Sequence, residues 1–95
     1  MVARVWGTYI IESQSSGHLY TGVTTQPGWR LQLHNEGNGA KYTKGKGPWV
    51  LVYWERIGSQ SLALKREYEI KQMTKAQKRV LINSARGFEV SPQET

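Results

Sequence analysis

One carboxylate falls where a carboxylate is destabilising unless paired. At about 100° per residue, Leu62, Ala63, Leu64, Tyr68, Ile70 and Met73 share one broad apolar arc of a helix. Lys65, Glu69 and Gln72 lie opposite, and Glu67 projects into the arc between Ala63 and Leu64. An inward carboxylate needs a partner, because an unpaired buried charge is strongly unfavourable. Two kinds of partner suit it: a cation of the protein, from Arg66, Lys71 or an arginine elsewhere, or a metal ion. Glu69, on the wet side, has no such claim.

Arg30 and His34 stand four apart and project from one side of an earlier helix, with Trp29 and Leu33 placed to pack beside them. Arginine offers a planar fork of donors matched to phosphate oxygens. Histidine can donate to a phosphate, relay a proton or position water. An ordinary polar face has the same spacing. Tyr9 and Tyr20 fall on two strands expected to pair. Most strand aromatics only pack, but beside cations and a metal ion a phenol's pKa can fall enough for base chemistry. His18 reads as a turn residue. Lys41, Lys44 and Lys46, with Tyr42, make a basic loop that suits phosphate and base, or is a solvated charge run.

Composition narrows the chemistry. The 95 residues, 38% of them hydrophobic with four Trp, suit one folded domain. The absence of Cys excludes disulfide staples and thiolate metal sites, and a cytoplasmic setting is the expectation. No apolar run approaches the roughly 18–20 residues that span a bilayer, so no membrane is expected. Met1–Gly7 lacks the apolar stretch of a secretory signal. Thirteen Lys and Arg against seven Glu give a net charge of +6, and so basic a small domain attracts nucleic acid. A ribosome-associated or merely soluble basic protein is the plainer alternative. Asp does not occur at all. Two-metal nucleases usually cluster several carboxylates, and two distant His do not suggest zinc. If this chain cuts a phosphodiester, it does so around a single carboxylate.

The elements that must position these residues follow in a simple order. Thr8–Glu12 predicts a strand, Ser13–Gly17 a turn and His18–Thr24 a second strand, together an antiparallel hairpin. Pro27 suits a first helical turn, with Thr25 as candidate cap and the helix running to about Asn35; Gly37 and Gly39 end it. Gly39–Pro48 predicts a loop, and the apolar run Trp49–Glu55 a strand covered on both faces. Ser59, Gln60 or Ser61 can cap a helix over Leu62–Met73, and a further helix spans Lys75–Arg86 with Val80 and Leu81 inward. The expectation is a single α/β domain over residues 1–86 in the order β-β-α-β-α-α. Its small three-stranded sheet, antiparallel or mixed, is flanked by helices, and residues 87–95 form a flexible tail.

These pieces resemble the GIY-YIG nuclease superfamily. Thr8-Tyr9-Ile10 is similar to its first motif and Tyr20-Thr21-Gly22 to its second. Arg30, His34 and Glu67 follow in the superfamily's order. The longer strings L-Y-T-G-V-T (19–24), R-L-Q-L-H-N (30–35), G-A-K-Y-T (39–43) and A-L-K-R-E-Y-E-I-K (63–71) resemble its small stand-alone bacterial members. The resemblance covers residues 6–82. Thr8 and Thr21 depart from the superfamily pattern in ways common in that group, and Asn83 aligns loosely with a late Asn of some relatives.

The resemblance implies metal-dependent phosphodiester hydrolysis of nucleic acid, DNA foremost. Tyr9, Tyr20, Arg30, His34 and Glu67 would be catalytic, with Glu67 holding one divalent ion, Mg²⁺ first. Lys41, Tyr42, Lys44 and Lys46 would contact nucleic acid. Homing and repair members rely on appended domains for target choice, so a protein partner could supply specificity here. The rival expectations are a non-cleaving nucleic-acid-binding module and a nuclease-fold subunit of a larger assembly.

Overall fold

The run W-G-T-Y-I-I-E-S is rich in residues that suit a pleated strand. In the computed structural model, which describes residues 4–84, it forms β1 (Trp6–Ser13). Gly17, at φ +78°, turns the chain into β2 (Leu19–Thr24). The remaining elements are α1 (Pro27–Asn35), β3 (Trp49–Gly58), α2 (Gln60–Lys71) and α3 (Lys75–Ser84). The order is β-β-α-β-α-α, as expected. β1 pairs antiparallel with β2 on one side and β3 on the other, giving the sheet order β2-β1-β3 with no parallel pair.

Alternation along β1 divides the core into two layers. Tyr9 and Ile11 pack with Trp49, Trp54 and the partly buried Tyr20 and Leu31 on the α1 side. Ile10 packs with Tyr53, Ile70 and Ile82 on the side of α2 and α3. There Thr8 Oγ1 also donates to the Ala63 carbonyl at 2.8 Å. Tyr9, Ile10 and Ile11 are each at most 1% exposed, and burial of such side chains stabilises by about 1.5–3 kcal/mol apiece.

β3 serves both layers through an irregularity. Ile10 pairs with Tyr53 but Ile11 with Leu51, so Val52 is an extra residue opposite β1. Trp49 and Trp54, five apart, would face opposite ways on a regular strand; the bulge brings both to the Tyr9 side. The strand expected to be covered on both faces does feed both layers. It is nevertheless an edge strand, and Leu51 is 36% exposed.

Helix ends follow local chemistry, with corrections. Pro27 opens α1 as predicted, but the cap is Gln26 and not Thr25; Thr24 Oγ1 instead accepts from the Gln26 amide at 3.1 Å. Gly37, at φ +84°, closes α1 in a Schellman turn, with Gly37 N donating to His34 O and Asn38 N to Leu33 O. Ser59 caps α2, its Oγ accepting from Leu62 N at 3.2 Å. The apolar arc read on α2 is too broad, because Leu62, Leu64 and Tyr68 are exposed and the buried face is Ala63 and Ile70. On α3, Val80 is exposed while Ile82 is buried and Leu81 partly so. Arg79 anchors α3 to β1 through both Glu12 oxygens, at 3.1 and 2.5 Å. The expected helix end at Arg86 and the tail over 87–95 lie outside the described residues. Among the described residues no helix is long and apolar enough to cross a membrane.

Candidate active site

Tyr9 owes its position to a glycine. It pairs with Gly22 of β2, and a Cβ added at Gly22 would stand 2.6 Å from the Tyr9 hydroxyl. The missing side chain is the space in which the phenol lies. Tyr20, opposite Ile11, shares that face, with the Tyr9 and Tyr20 ring centroids 6.5 Å apart. His34 joins both, 5.8 Å from the Tyr9 ring and 5.2 Å from that of Tyr20. Tyr9 Oη and His34 Nε2 are 2.7 Å apart, a hydrogen bond sealed from water because His34 is only 2% exposed.

The loop after α1 is tied down by α1 itself. Arg30 Nη2 donates to Gly39 O at 2.9 Å, and His34 Nδ1 lies 2.8 Å from Thr43 Oγ1. Asn35 bonds Trp49 twice, accepting from its amide at 2.6 Å and donating to its carbonyl at 3.0 Å. A Cβ on Gly39 would overlap the His34 imidazole, so only glycine lets the loop come this close. Arg30 and His34 therefore do share a side of one helix, and that side meets the loop.

Burial governs the electrostatics here. The Tyr9 phenol is pushed up to about 12, chiefly by desolvation, with Tyr20 and Glu67 adding to the rise. A hydrogen bond from Arg30 and its charge oppose that shift. His34 is held down at about 4, first by desolvation and then by the Arg30 cation. At neutral pH the phenol and imidazole are both uncharged. In the protein alone, the phenol moves in the direction opposite to the fall that base chemistry favours.

Glu67 reaches this group from α2. Its side chain is 18% exposed, next to Ala63 at the border of the buried face of the helix, and its Oε2 is 3.0 Å from Lys71 Nζ. Lys71 was one of the cations open to it on sequence grounds. Lys71 Nζ also lies 5.9 Å from the Tyr20 ring centroid. Because β2 is an edge strand, side chains of the α2 layer can meet the Tyr20 ring there without crossing the sheet. Among the described residues no group of three or more His, Cys, Asp or Glu gathers as a ready cage for a metal. A lone, partly sheltered carboxylate does suit Mg²⁺, which keeps several waters and takes substrate phosphate as ligand.

The basic loop joins the site through Tyr42. Its ring stacks on Tyr20 at 5.8 Å and 20°, and the His18 ring meets it edge to face at 6.5 Å. Lys46 Nζ lies 4.6 Å from the Tyr42 ring centroid and donates to the Tyr42 carbonyl. Tyr42 is 44% exposed, and Lys41 and Lys44 are exposed. Asn83 is exposed in the last turn of α3.

Sequence reasoning gave no role in the site to Thr43, Asn35, Gly22 and Gly39. Thr43 is 1% exposed although lysines stand at 41, 44 and 46. No periodicity in a glycine-rich loop marks which side chain turns inward. Only the close approach of loop to helix shows it.

A family model described as the GIY-YIG catalytic domain matches residues 5–80 of this chain. The chain is 45% identical over 83 residues to the UPF0213 protein YhbQ of Escherichia coli K12, covering 87% of this chain and 82% of that one. It is 43% identical over 84 residues to a UPF0213 protein of Citrobacter koseri, covering 88% and 83%. Two structures solved by solution NMR share the fold. A UPF0213 protein of Bacillus halodurans has a TM-score of 0.53 at 38% identity, covering 83% of each chain. A protein of E. faecalis has a TM-score of 0.59 at 33% identity, covering 86% of each.

Proposed function

The chain belongs to the GIY-YIG catalytic-domain family, a nuclease family, and from that premise we propose that it is a metal-dependent endonuclease, acting on DNA first. The observation that carries the proposal is convergence. Tyr9 and Tyr20 from the hairpin and His34 from α1 gather around one buried hydrogen bond, Arg30 of α1 acts on the Tyr9 phenol, and Glu67 approaches from α2 through Lys71, which lies 5.9 Å from the Tyr20 ring.

Glu67 would hold the divalent ion, with Lys71 released from the carboxylate it now neutralises. Bound there, Mg²⁺ would supply positive charge to the phosphate and leaving oxygen. Arg30 would clamp the scissile phosphate and stabilise its growing charge. Tyr9 would orient the attacking water and take its proton while passing its own proton to His34 Nε2. The water oxygen bonds phosphorus as the phosphorus–oxygen bond to the leaving group breaks, and solvent protonates the leaving oxygen. A substrate phosphate bound near His34 would raise the basicity that burial suppresses. Tyr20 assists beside Tyr9. Tyr42, Lys41, Lys44 and Lys46 would hold flanking nucleotides by stacking and charge. A cytoplasmic setting and a protein partner that supplies target choice belong to the same proposal.

The deciding experiment incubates the protein, Glu67→Ala and Arg30→Ala with single-stranded, duplex, flap and junction DNA and with RNA, with and without Mg²⁺. Mg²⁺-dependent cleavage by the parent, reduced by about 10²-fold or more in each variant, is expected. Variants that cut as fast as the parent would sink the proposal. The closed Glu67–Lys71 pair favours one second reading, a module that binds nucleic acid without metal or turnover. Binding unaffected by removal of divalent ions, with no cleavage of any substrate, is its signature.

A further inference from the structure

Thr43 lies within reach of two acceptors, and its single hydroxyl proton can serve only one. Its Oγ1 is 3.0 Å from the Ala40 carbonyl oxygen and 2.8 Å from His34 Nδ1. Two oxygens at that separation repel unless a proton lies between them, and a carbonyl has none to give. The Thr43 proton therefore points to Ala40, and a lone pair faces His34. An uncharged imidazole must then carry its proton on Nδ1, which leaves Nε2 bare towards the Tyr9 hydroxyl at 2.7 Å. Tyr9 becomes the donor. The protons run in one direction: Tyr9 Oη–H to Nε2, Nδ1–H to Thr43 Oγ1, and Thr43 Oγ1–H to the Ala40 carbonyl.

We infer that Thr43 is a positioning residue, which holds His34 in its Nδ1–H form so that Nε2 is ready to receive the Tyr9 proton. The catalytic consequence rests on the nuclease reading above; the proton placement does not. Thr43 is well held for this task. It is 1% exposed, its carbonyl accepts from the Trp49 indole at 3.1 Å, and its amide donates to Ala40 O at 3.2 Å. Gly39 admits the loop against the imidazole, as a Cβ there would overlap it. With the other tautomer, Nε2–H would point at Tyr9 and block the transfer, whatever the distance.

The test is ¹⁵N NMR of His34 at pH 7, in a His18→Gln background that leaves one imidazole in the chain. Beside it, cleavage with Mg²⁺ is measured for the parent, Thr43→Val and Thr43→Ser. The parent should show a protonated Nδ1 and a bare Nε2. Thr43→Val should give a mixture of tautomers and lower kcat about tenfold or more with KM little changed, and Thr43→Ser should restore both. A parent with Nε2–H overturns the inference, and so does a Thr43→Val that keeps the Nδ1–H form or cleaves at the parental rate. If Thr43→Val does not fold, the parent spectrum and Thr43→Ser still decide. A parent with Nδ1–H that cuts nothing refutes the nuclease reading and the catalytic consequence, while the proton placement stands.

Discussion

Replacing Gly22 by alanine puts a methyl group where the Tyr9 phenol lies. The new carbon would be 2.6 Å from the hydroxyl oxygen, 2.7 Å from Cζ and 3.0 Å from Cε2. Carbon contacts settle at about 3.5–4.0 Å, so the ring must retreat by roughly 1 Å. It has little room, being 1% exposed between the Tyr20 and His34 rings. Gly22 is not among the glycines with positive φ, so an alanine backbone is not strained there and would by itself gain about 0.5–1 kcal/mol. Overpacking costs about 1–3 kcal/mol, leaving a net loss on the order of 0–2.5 kcal/mol. The Tyr9–His34 bond, now 2.7 Å, would open, and a misplacement of about 1 Å near reacting atoms can lower rate by about 10²-fold. Urea denaturation reads the first effect and Mg²⁺-dependent cleavage the second. Gly28→Ala is the control, since nothing lies within 4 Å of the carbon added there. A Gly22→Ala protein with the parental midpoint and rate would refute the close-packing argument.

The lowered pKa of His34 makes stability depend on pH in a defined window. The unfolded imidazole charges below its ordinary value of 6.5, whereas the folded one resists to about 4. The resulting stability is full above the upper value and falls with pH by up to about 3 kcal/mol across the window; urea midpoints flat between pH 6.5 and 4 would contradict this. Glu12, lowered by its bond to Arg79, contributes in the same sense at lower pH, below its ordinary 4.5. Arg79→Met should cost about 1 kcal/mol or less, because Arg79 is 38% exposed and solvent screens the pair; a thermal melt lowered by far more would assign α3 docking to this pair. Tyr42→Ala should weaken single-stranded DNA binding roughly fivefold or more, the loss of one stacked base at about 1–3 kcal/mol. Unchanged affinity in a fluorescence titration would remove Tyr42 from the binding surface.

Much of the fold was legible because its signals are local. Pro27 at the start of α1, Gly37 after it and the hydroxyl of Ser59 before α2 each act within a few residues. Thr25 misled because two neighbouring threonines offer the same chemistry, and only the backbone path selects Thr24 as acceptor. The α2 arc misled for a different reason. Leu62, Leu64 and Tyr68 stand about 100–140° around the helix from Ala63, so the face that packs on the sheet, Ala63 and Ile70, leaves them in solvent. Glu67 stood out as an inward acid, and its bond to Lys71 is the kind of partner its burial demands. The meeting of Tyr9 with His34 was not legible without the resemblance, since it depends on strand register and a missing Cβ at Gly22. Thr43 was silent, as its burial arises only when the loop folds onto α1.

The extra residue at Val52 gives β3 an odd–even count that side-chain chemistry alone does not reveal. Trp49 sits under the loop held by Asn35, and Trp54 sits beside Tyr9, on the same face only because one residue between them goes unpaired. Deleting Val52 would leave the tryptophans four apart, a spacing that a regular strand carries on one face, so the ladder with β1 could close without the bulge and both would stay on the Tyr9 side. The fifth step of that spacing is absorbed within β3 itself, a frame correction that leaves both layers filled.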